Sequence, residues 1–570
     1  MPRSAVFLAA AFLLLVQPFA DRSTAQDATL FSAMKDEMAR SMAELRLPDQ
    51  PAPYYIEYEV EDRASTRVTA RLGALTEDLT GKNRTFRVEV RVGDYTFDNS
   101  LFNAPNFGAG VVALSADGTT SVPLDDSYDA MRRQMWLATD AAYKRAVGVF
   151  ARKRAAFQNR ASTDALPDFS REKAGETILP GVPATFVNRD WPERVRTLSA
   201  VFLPSADAGY KLLDNSEVSV SDTRGTRYYL NTEGTRVVAP IQIASLRVAA
   251  DGRARDGMTV RDQFTLVEKT LQDLPPMSDL VARTRELGAR IRDTRAANLG
   301  EEYTGPVLLE GQASAEIVAQ SLVPAVLARR PAESANAGRG GGGQGGRGQV
   351  TPFLSRVGLR VLTDSFSLSD TPSLTQFNGR PVAGSYAVDD YGLRPKDISL
   401  VEKGRLVTLL AGRAPMRGLP QSNGHSRGGE VQAGVIQMQS SEAVPAAELK
   451  KKYLELLKTQ GKDFGYIVRV VANPADVPPS GPGGPVIVAA VRVNTDGSET
   501  PVRGLRFGVI APATFRDLLD ASRERTLYSY RATASDAVSV IVPNLIFEEL
   551  EIQRTREIAQ KPPLVPSPLD

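Results

Sequence analysis

Residues 386–429 read YAVDDYGLRPKDISLVEKGRLVTLLAGRAPMRGLPQSNGHSRGG. The opening YAVDDYGL has the look of a strand that ends in a turn at Asp389 and Asp390, and Val407–Ala411 reads as a further strand. The closing LPQSNGHSRGG is rich in Gly, Ser and Asn and is therefore a loop; it carries His425, the chain's one histidine. Strand, turn and loop patterns of this kind dominate the second half. More strands are expected at Val357–Leu362, Val431–Met438, Ile467–Val471 and Val486–Val493, with helices around Ala446–Leu457 and Thr514–Ser522.

Upstream, Gly305–Ala328 (GPVLLEGQASAEIVAQSLVPAVLA) reads as a short strand running into a helix, and the second half starts near Tyr303. The run GRGGGGQGGRGQ at Gly338–Gln349 lacks the GxxxxGK[ST] pattern of a phosphate loop and reads as a linker. A second Gly/Pro loop, PPSGPGGP, ends at Pro485.

The first half mixes helices and strands. Leu30, Met34, Met38, Met42 and Leu45 recur at helical spacing. Tyr54, Ile56, Tyr58 and Val60 alternate with polar neighbours, as do Phe86, Val88, Val90 and Val92. A helix of about thirty residues is expected next, with Trp136, Tyr143, Val147 and Phe150 as its apolar stripe. Strands around Glu217–Val220, Arg227–Leu230 and Val237–Val248 precede a helix at Ser278–Arg295. Together these patterns predict an α+β protein whose halves, 27–300 and 301–570, meet near residue 300.

Composition narrows the chemistry. The 570 residues, 42% hydrophobic and 24% charged, suffice for two or three domains with full cores. The 69 basic and 67 acidic residues nearly cancel, and no basic block points to nucleic acid or an anionic membrane as partner. Arg3, the apolar run Ala5–Ala20 and the small residues Ser23, Thr24 and Ala25 form the layout of a secretory signal peptide over 1–26. Export to the periplasm or beyond is expected, with no anchor left after cleavage, since the run falls short of the ~20 apolar residues of a span.

There is no cysteine and one histidine, so HExxH, HExxxH and Cys/His clusters are all out of reach. A carboxylate site could still hold Mg, Mn or Ca. Candidate catalytic residues are Asp389, beside Asp390 in the acidic pair, His425, whose ordinary pKa lies near neutrality, and Glu316. The plainer readings are a turn for the acidic pair, a surface or loop-packing histidine, and a solvated helix face for Glu316.

Several segments resemble the TldD/TldE family, also called PmbA or modulator-of-gyrase proteins. Residues 386–429 look like its Asp–Asp–x–Gly turn, strand, Gly-containing hairpin, strand and Asn–Gly-rich loop. Val491–Ser522, with Val502, Arg503 and Gly504 at its centre, resembles the family's late strand–turn–strand–helix segment, and Ser539–Ile552 also fits. Arg84–Asn99 and Met135–Phe157 resemble the first domain of exported relatives. The resemblance implies a two-domain fold, an α/β-mixed N-terminal domain followed by a β-rich C-terminal one with a few helices.

In active subunits of the family, a helix early in the C-terminal half carries HExxxH and a later cysteine completes a zinc site. The corresponding GPVLLEGQASAEIVAQSL has Gln312, Glu316 and Gln320 at i, i+4 and i+8 and no histidine. The resemblance therefore implies a TldE-like subunit with no zinc of its own, paired with a TldD-type subunit or with itself, acting on peptides or unfolded chains. A stand-alone hydrolase with a carboxylate site or a Ser/Thr nucleophile, and a non-catalytic oligomeric peptide-binding protein, are the alternatives.

Overall fold

The computed structural model describes residues 20–103, 114–115, 117–158, 166–185, 190–334, 351–474 and 483–555. The expected signal segment up to residue 19, the Gly-rich insert and most of the PPSGPGGP loop lie outside them. The architecture is mixed α+β, as the sequence patterns imply.

The first half is built on long strands. Strands β1 (Pro53–Arg71) and β2 (Ala74–Val92) form a hairpin whose two-residue turn, Leu72–Gly73, has φ of 48° and 79°. Two positive φ values make a turn whose twist matches that of the flanking strands. Strands β3 (Leu213–Asn231), β4 (Arg236–Arg253) and β5 (Thr259–Glu268) continue the antiparallel order β2-β1-β3-β4-β5. With edge segments at Thr119–Ser121 and Glu176–Ile178 the sheet counts seven strands among the described residues.

Because successive strand side chains point to opposite faces, the even-numbered residues of β1 and β3 share one side. Helices α1 (Ala20–Glu44) and α2 (Tyr128–Phe157) cover one end of that face, burying Met34, Met131 and Met135 against Tyr58, Val60 and Phe86. Helices α3 (Trp191–Ala200) and α4 (Met277–Ala296) cover the other end, with Leu198, Leu287 and Ile291 against Val68, Val220 and Leu246. Trp136 departs from its expected place in the α2 stripe. It is 43% exposed and stacks with the Arg40 guanidinium at 5.6 Å, while Met131, Met135 and Ala138 take the buried positions.

The second half is organised around a mixed sheet of twelve strands among the described residues. Its centre is β6 (Tyr303–Leu309), antiparallel to a long C-terminal strand (Ala537–Arg554) and parallel to Phe464–Val471. Helix α5 (Gln312–Ile317) follows β6, and the chain stays helical through a π-type turn at Val318–Leu322. Helix α6 (Ala446–Thr459) packs Leu449, Tyr453 and Leu457 over the outer face of the sheet. No helix of the described residues is long and apolar enough to cross a membrane.

Several expected elements change. Of Val407–Ala411 only Leu410–Ala411 is a strand, paired with Leu327–Ala328. Val357–Leu362 makes only an isolated bridge, Arg360 to Arg405, and no strand precedes the Asp389–Asp390 turn. Thr514–Ser522 is not an α-helix: a 3₁₀ turn at Pro512–Asp517 leads straight into a strand, Leu518–Arg531. That strand pairs antiparallel with Ala537–Arg554, so a ladder of backbone bonds overrides a spacing that local propensity would read as helical.

Candidate functional site

The odd-numbered face of β1 and β3 is mostly polar, and around Glu57 it meets the second half. Glu57 is buried; it accepts hydrogen bonds from the hydroxyls of Tyr55 (2.8 Å) and Tyr229 (3.1 Å) and pairs with Arg87 (2.9 Å). Burial, the largest influence, pushes its carboxyl up. From the facing half, Arg413 is 2% exposed, pairs with Glu233 at 2.8 Å, donates to the Ser170 carbonyl and stacks on Phe169 at 3.8 Å. Arg227 reaches Asp390 at 2.7 Å and the Asp389 carbonyl at 2.8 Å.

This contact positions the loops that hold two candidate residues. Asp389 is buried at its turn. Its Oδ1 accepts from the backbone N–H of Tyr391 (3.0 Å) and Leu393 (2.9 Å), and its Oδ2 from Ser426 (3.3 Å). Burial outweighs these donors, and with the neighbouring Asp390 charge it raises the carboxyl to about 7. His425 is packed in its loop with no exposure. Its Nδ1 lies 2.9 Å from Asn423 Oδ1 and 3.1 Å from the Asn423 carbonyl. Asn423 Oδ1 also accepts from Ala411 N, which fixes the orientation of that amide and places the imidazole proton on Nδ1. Nε2 has no hydrogen-bond partner and lies 3.6 Å from Asp370 Oδ2. Burial lowers the imidazole to about 4 and raises Asp370 to about 6.

The Asn–Gly step itself is sterically required. Gly424 has φ +82°, and a Cβ there would lie 2.6 Å from the Arg394 carbonyl oxygen.

Glu316 belongs to a different cluster and does not contact Asp389 or His425 in any described hydrogen bond. It is 1% exposed, which corrects the solvated-face reading of this helix. Its carboxylate accepts from Gln312 Nε2 (3.3 Å), Gln320 Nε2 (2.8 Å) and Asn473 Nδ2 (3.2 Å). Gln312 also exchanges hydrogen bonds with both backbone groups of Val471, where that strand's register shifts, and Gln320 donates to the Ala472 carbonyl. These second contacts fix the amide orientations, so the N–H groups point at Glu316. Gln312 and Asn473, with Tyr528, form one wall of a cavity of about 630 Å³ between the halves. Gln263, Arg283 and Arg290 face them from β5 and α4.

Among the described residues, no three His, Cys, Asp or Glu side chains are grouped so as to hold a metal ion. Sequence reading missed Asn473, Asp370, Arg227 and Arg413. Their partners are far away in the chain, up to 358 residues for Arg413 and Tyr55, and no local spacing encodes such pairs.

Residues 302–554 match the family described as the PmbA/TldA metallopeptidase C-terminal domain. The whole chain resembles the solved structure of TldE from Thermococcus kodakarensis, with a TM-score of 0.56 and 14% identity over 91% of this chain and 99% of that one. A protein described as a modulator of DNA gyrase from Thermotoga maritima aligns with a TM-score of 0.56 at 13% identity, over 88% and 96% of the two chains. A similarly described protein from Bacteroides thetaiotaomicron gives 0.55 at 10% identity, over 92% and 98%. At these identities the structures speak for a shared fold. No curated protein matches the chain.

Proposed function

The chain belongs to the TldD/TldE (PmbA) metallopeptidase family, and on that premise we propose that it serves proteolysis of peptides or unfolded chains as a subunit without a zinc site of its own. The observation that carries this reading is the state of Glu316. Zinc takes about three His, Cys or carboxylate ligands and keeps one position open for water. Here the corresponding helix offers one carboxylate whose lone pairs are already met by Gln312, Gln320 and Asn473. Amide N–H groups are donors and cannot ligate a cation. The donor set does not fit zinc.

A subunit of this kind needs a catalytic partner, either a TldD-type chain bearing HExxxH or an assembly in which self-association builds a peptide-binding surface. Export follows from the segment at 1–26, which would place the assembly in the periplasm or outside the cell. The test is zinc binding by the purified chain, read as bound metal after equilibration with zinc and dialysis. Sub-stoichiometric metal, unchanged in Glu316→Gln, is expected. One tightly held zinc per chain, lost in Glu316→Gln, would overturn the reading.

A further inference from the structure

A second cavity between the halves, of about 520 Å³, has a lysine and a serine in direct contact on its wall. Lys269 follows the last residue of β5, and Ser385 lies in the segment before the Asp389 turn, 116 positions away. Lys269 Nζ donates to Ser385 Oγ at 2.7 Å, and Oγ donates to the Val382 carbonyl at 2.9 Å. Among the described residues that hydroxyl is the one hydrogen-bond partner of Lys269, which makes no ion pair. The neighbouring Glu268 is taken by Arg380 at 3.2 Å.

The backbone carrying the serine is held closely. A Cβ at Gly384 would meet the Gly434 carbonyl oxygen at 2.2 Å and Ser539 N at 2.5 Å, and Tyr386, on the other side, donates its hydroxyl to the Gly424 carbonyl at 2.8 Å. Ser385 is itself buried, so its Oγ has little freedom to leave the lysine.

We propose that Ser385 and Lys269 form a serine–lysine acyl-transfer site that takes an ester or peptide carbonyl admitted to this cavity, independently of any metal or partner subunit. It goes beyond the subunit role and does not rest on it. A lysine lacking a counter-ion gives up its proton more readily as it is desolvated, and a neutral amine at hydrogen-bond distance from a hydroxyl can serve as its general base. Lys269 is lowered by burial first and by the Arg427 charge second, with Asp273 opposing more weakly.

In the acylation step Ser385 Oγ bonds to the carbonyl carbon and its proton passes to Lys269 Nζ. The bond from that carbon to the leaving nitrogen or oxygen then breaks, and Lys269 returns the proton to the leaving atom. Water repeats the sequence with Lys269 again as base, releasing the acid and restoring Oγ–H.

The experiment treats the purified full chain with a fluorophosphonate in the presence of EDTA, beside Ser385→Ala, Lys269→Met and Lys269→Arg. Intact mass and peptide mapping locate the adduct, and thermal melts check folding. Expected is a single adduct on Ser385, forming faster as pH rises through the lysine's titration and at least about a hundredfold slower in Lys269→Arg. Lys269→Arg retains a cation and a donor toward Ser385, so a structural role alone would leave labelling intact. No adduct in the unaltered chain, an adduct on another residue, or full labelling of Lys269→Arg would overturn the proposal. EDTA and the absence of a partner keep this outcome separate from the zinc measurement.

Discussion

His425 is the chain's one histidine, so its imidazole can be followed without assignment. With its proton held on Nδ1 by Asn423 and its ring lowered to about 4, it stays neutral where an ordinary histidine titrates. The folded pKa lies below the unfolded one, so its contribution to stability is present above about 6.5 and is lost as pH falls through about 4. Asp370 has the opposite sign: its contribution is present below the ordinary carboxylate value and is lost as pH rises through about 6. The two offset each other between those limits, so the ring signal is a cleaner readout than a melt. Histidine-selective ¹⁵N NMR should show a neutral Nδ1–H tautomer from pH 8 down to about 5; a midpoint near 6.5 would contradict the packing described. Glu316 gives a second residue-level expectation. Glu316→Ala leaves three oriented amides facing a void and should destabilise the chain by about 3 kcal/mol in denaturant unfolding. A solvated side chain would cost less than about 0.5 kcal/mol.

At the scale of elements, the long strands were legible because alternation is a strong local signal: Ile56, Tyr58 and Val60, and Phe86, Val88 and Val90, all face the core. Alternation did not say what the polar face meets. Glu57, Arg87 and Tyr229 lie against the second half, and only tertiary contact decides that. Local spacing failed where pairing decides, as at Leu518–Arg531, and where turns replace strands, as around Val357–Leu362. The candidate site was legible in part. Gln312, Glu316 and Gln320 share a helical face in the sequence, and the structure joins them; Asn473 and the Ser385–Lys269 contact come from distant segments and leave no local trace. The segment 386–429 is the element that docks the halves, and Arg413 is its anchor. Planar stacking on Phe169 and a two-pronged pairing with Glu233 both need a guanidinium. Arg413→Ala should cost about 3–5 kcal/mol in denaturant unfolding, and Arg413→Lys should recover less than half of that. Full recovery by lysine would show that charge alone holds the contact.

Across the whole molecule, two sheets face each other through charged and tyrosine side chains, with cavities of about 630 and 520 Å³ left between them. A polar interface with paired charges fixes register more than it adds stability, because desolvation offsets much of the Coulomb gain. Such an arrangement suits a subunit whose halves hold a defined surface for a partner and a chain to be cleaved. Residues 302–554 match a metallopeptidase C-terminal domain family, while the helix near their start presents amides around a single carboxylate. Dependence on a partner can be read from native mass spectrometry of the chain purified from its own host. A stoichiometric complex with an HExxxH-bearing relative is expected, with the zinc retained by that relative when the complex is split. A chain that carries one zinc per copy by itself, with no such relative bound, would contradict it.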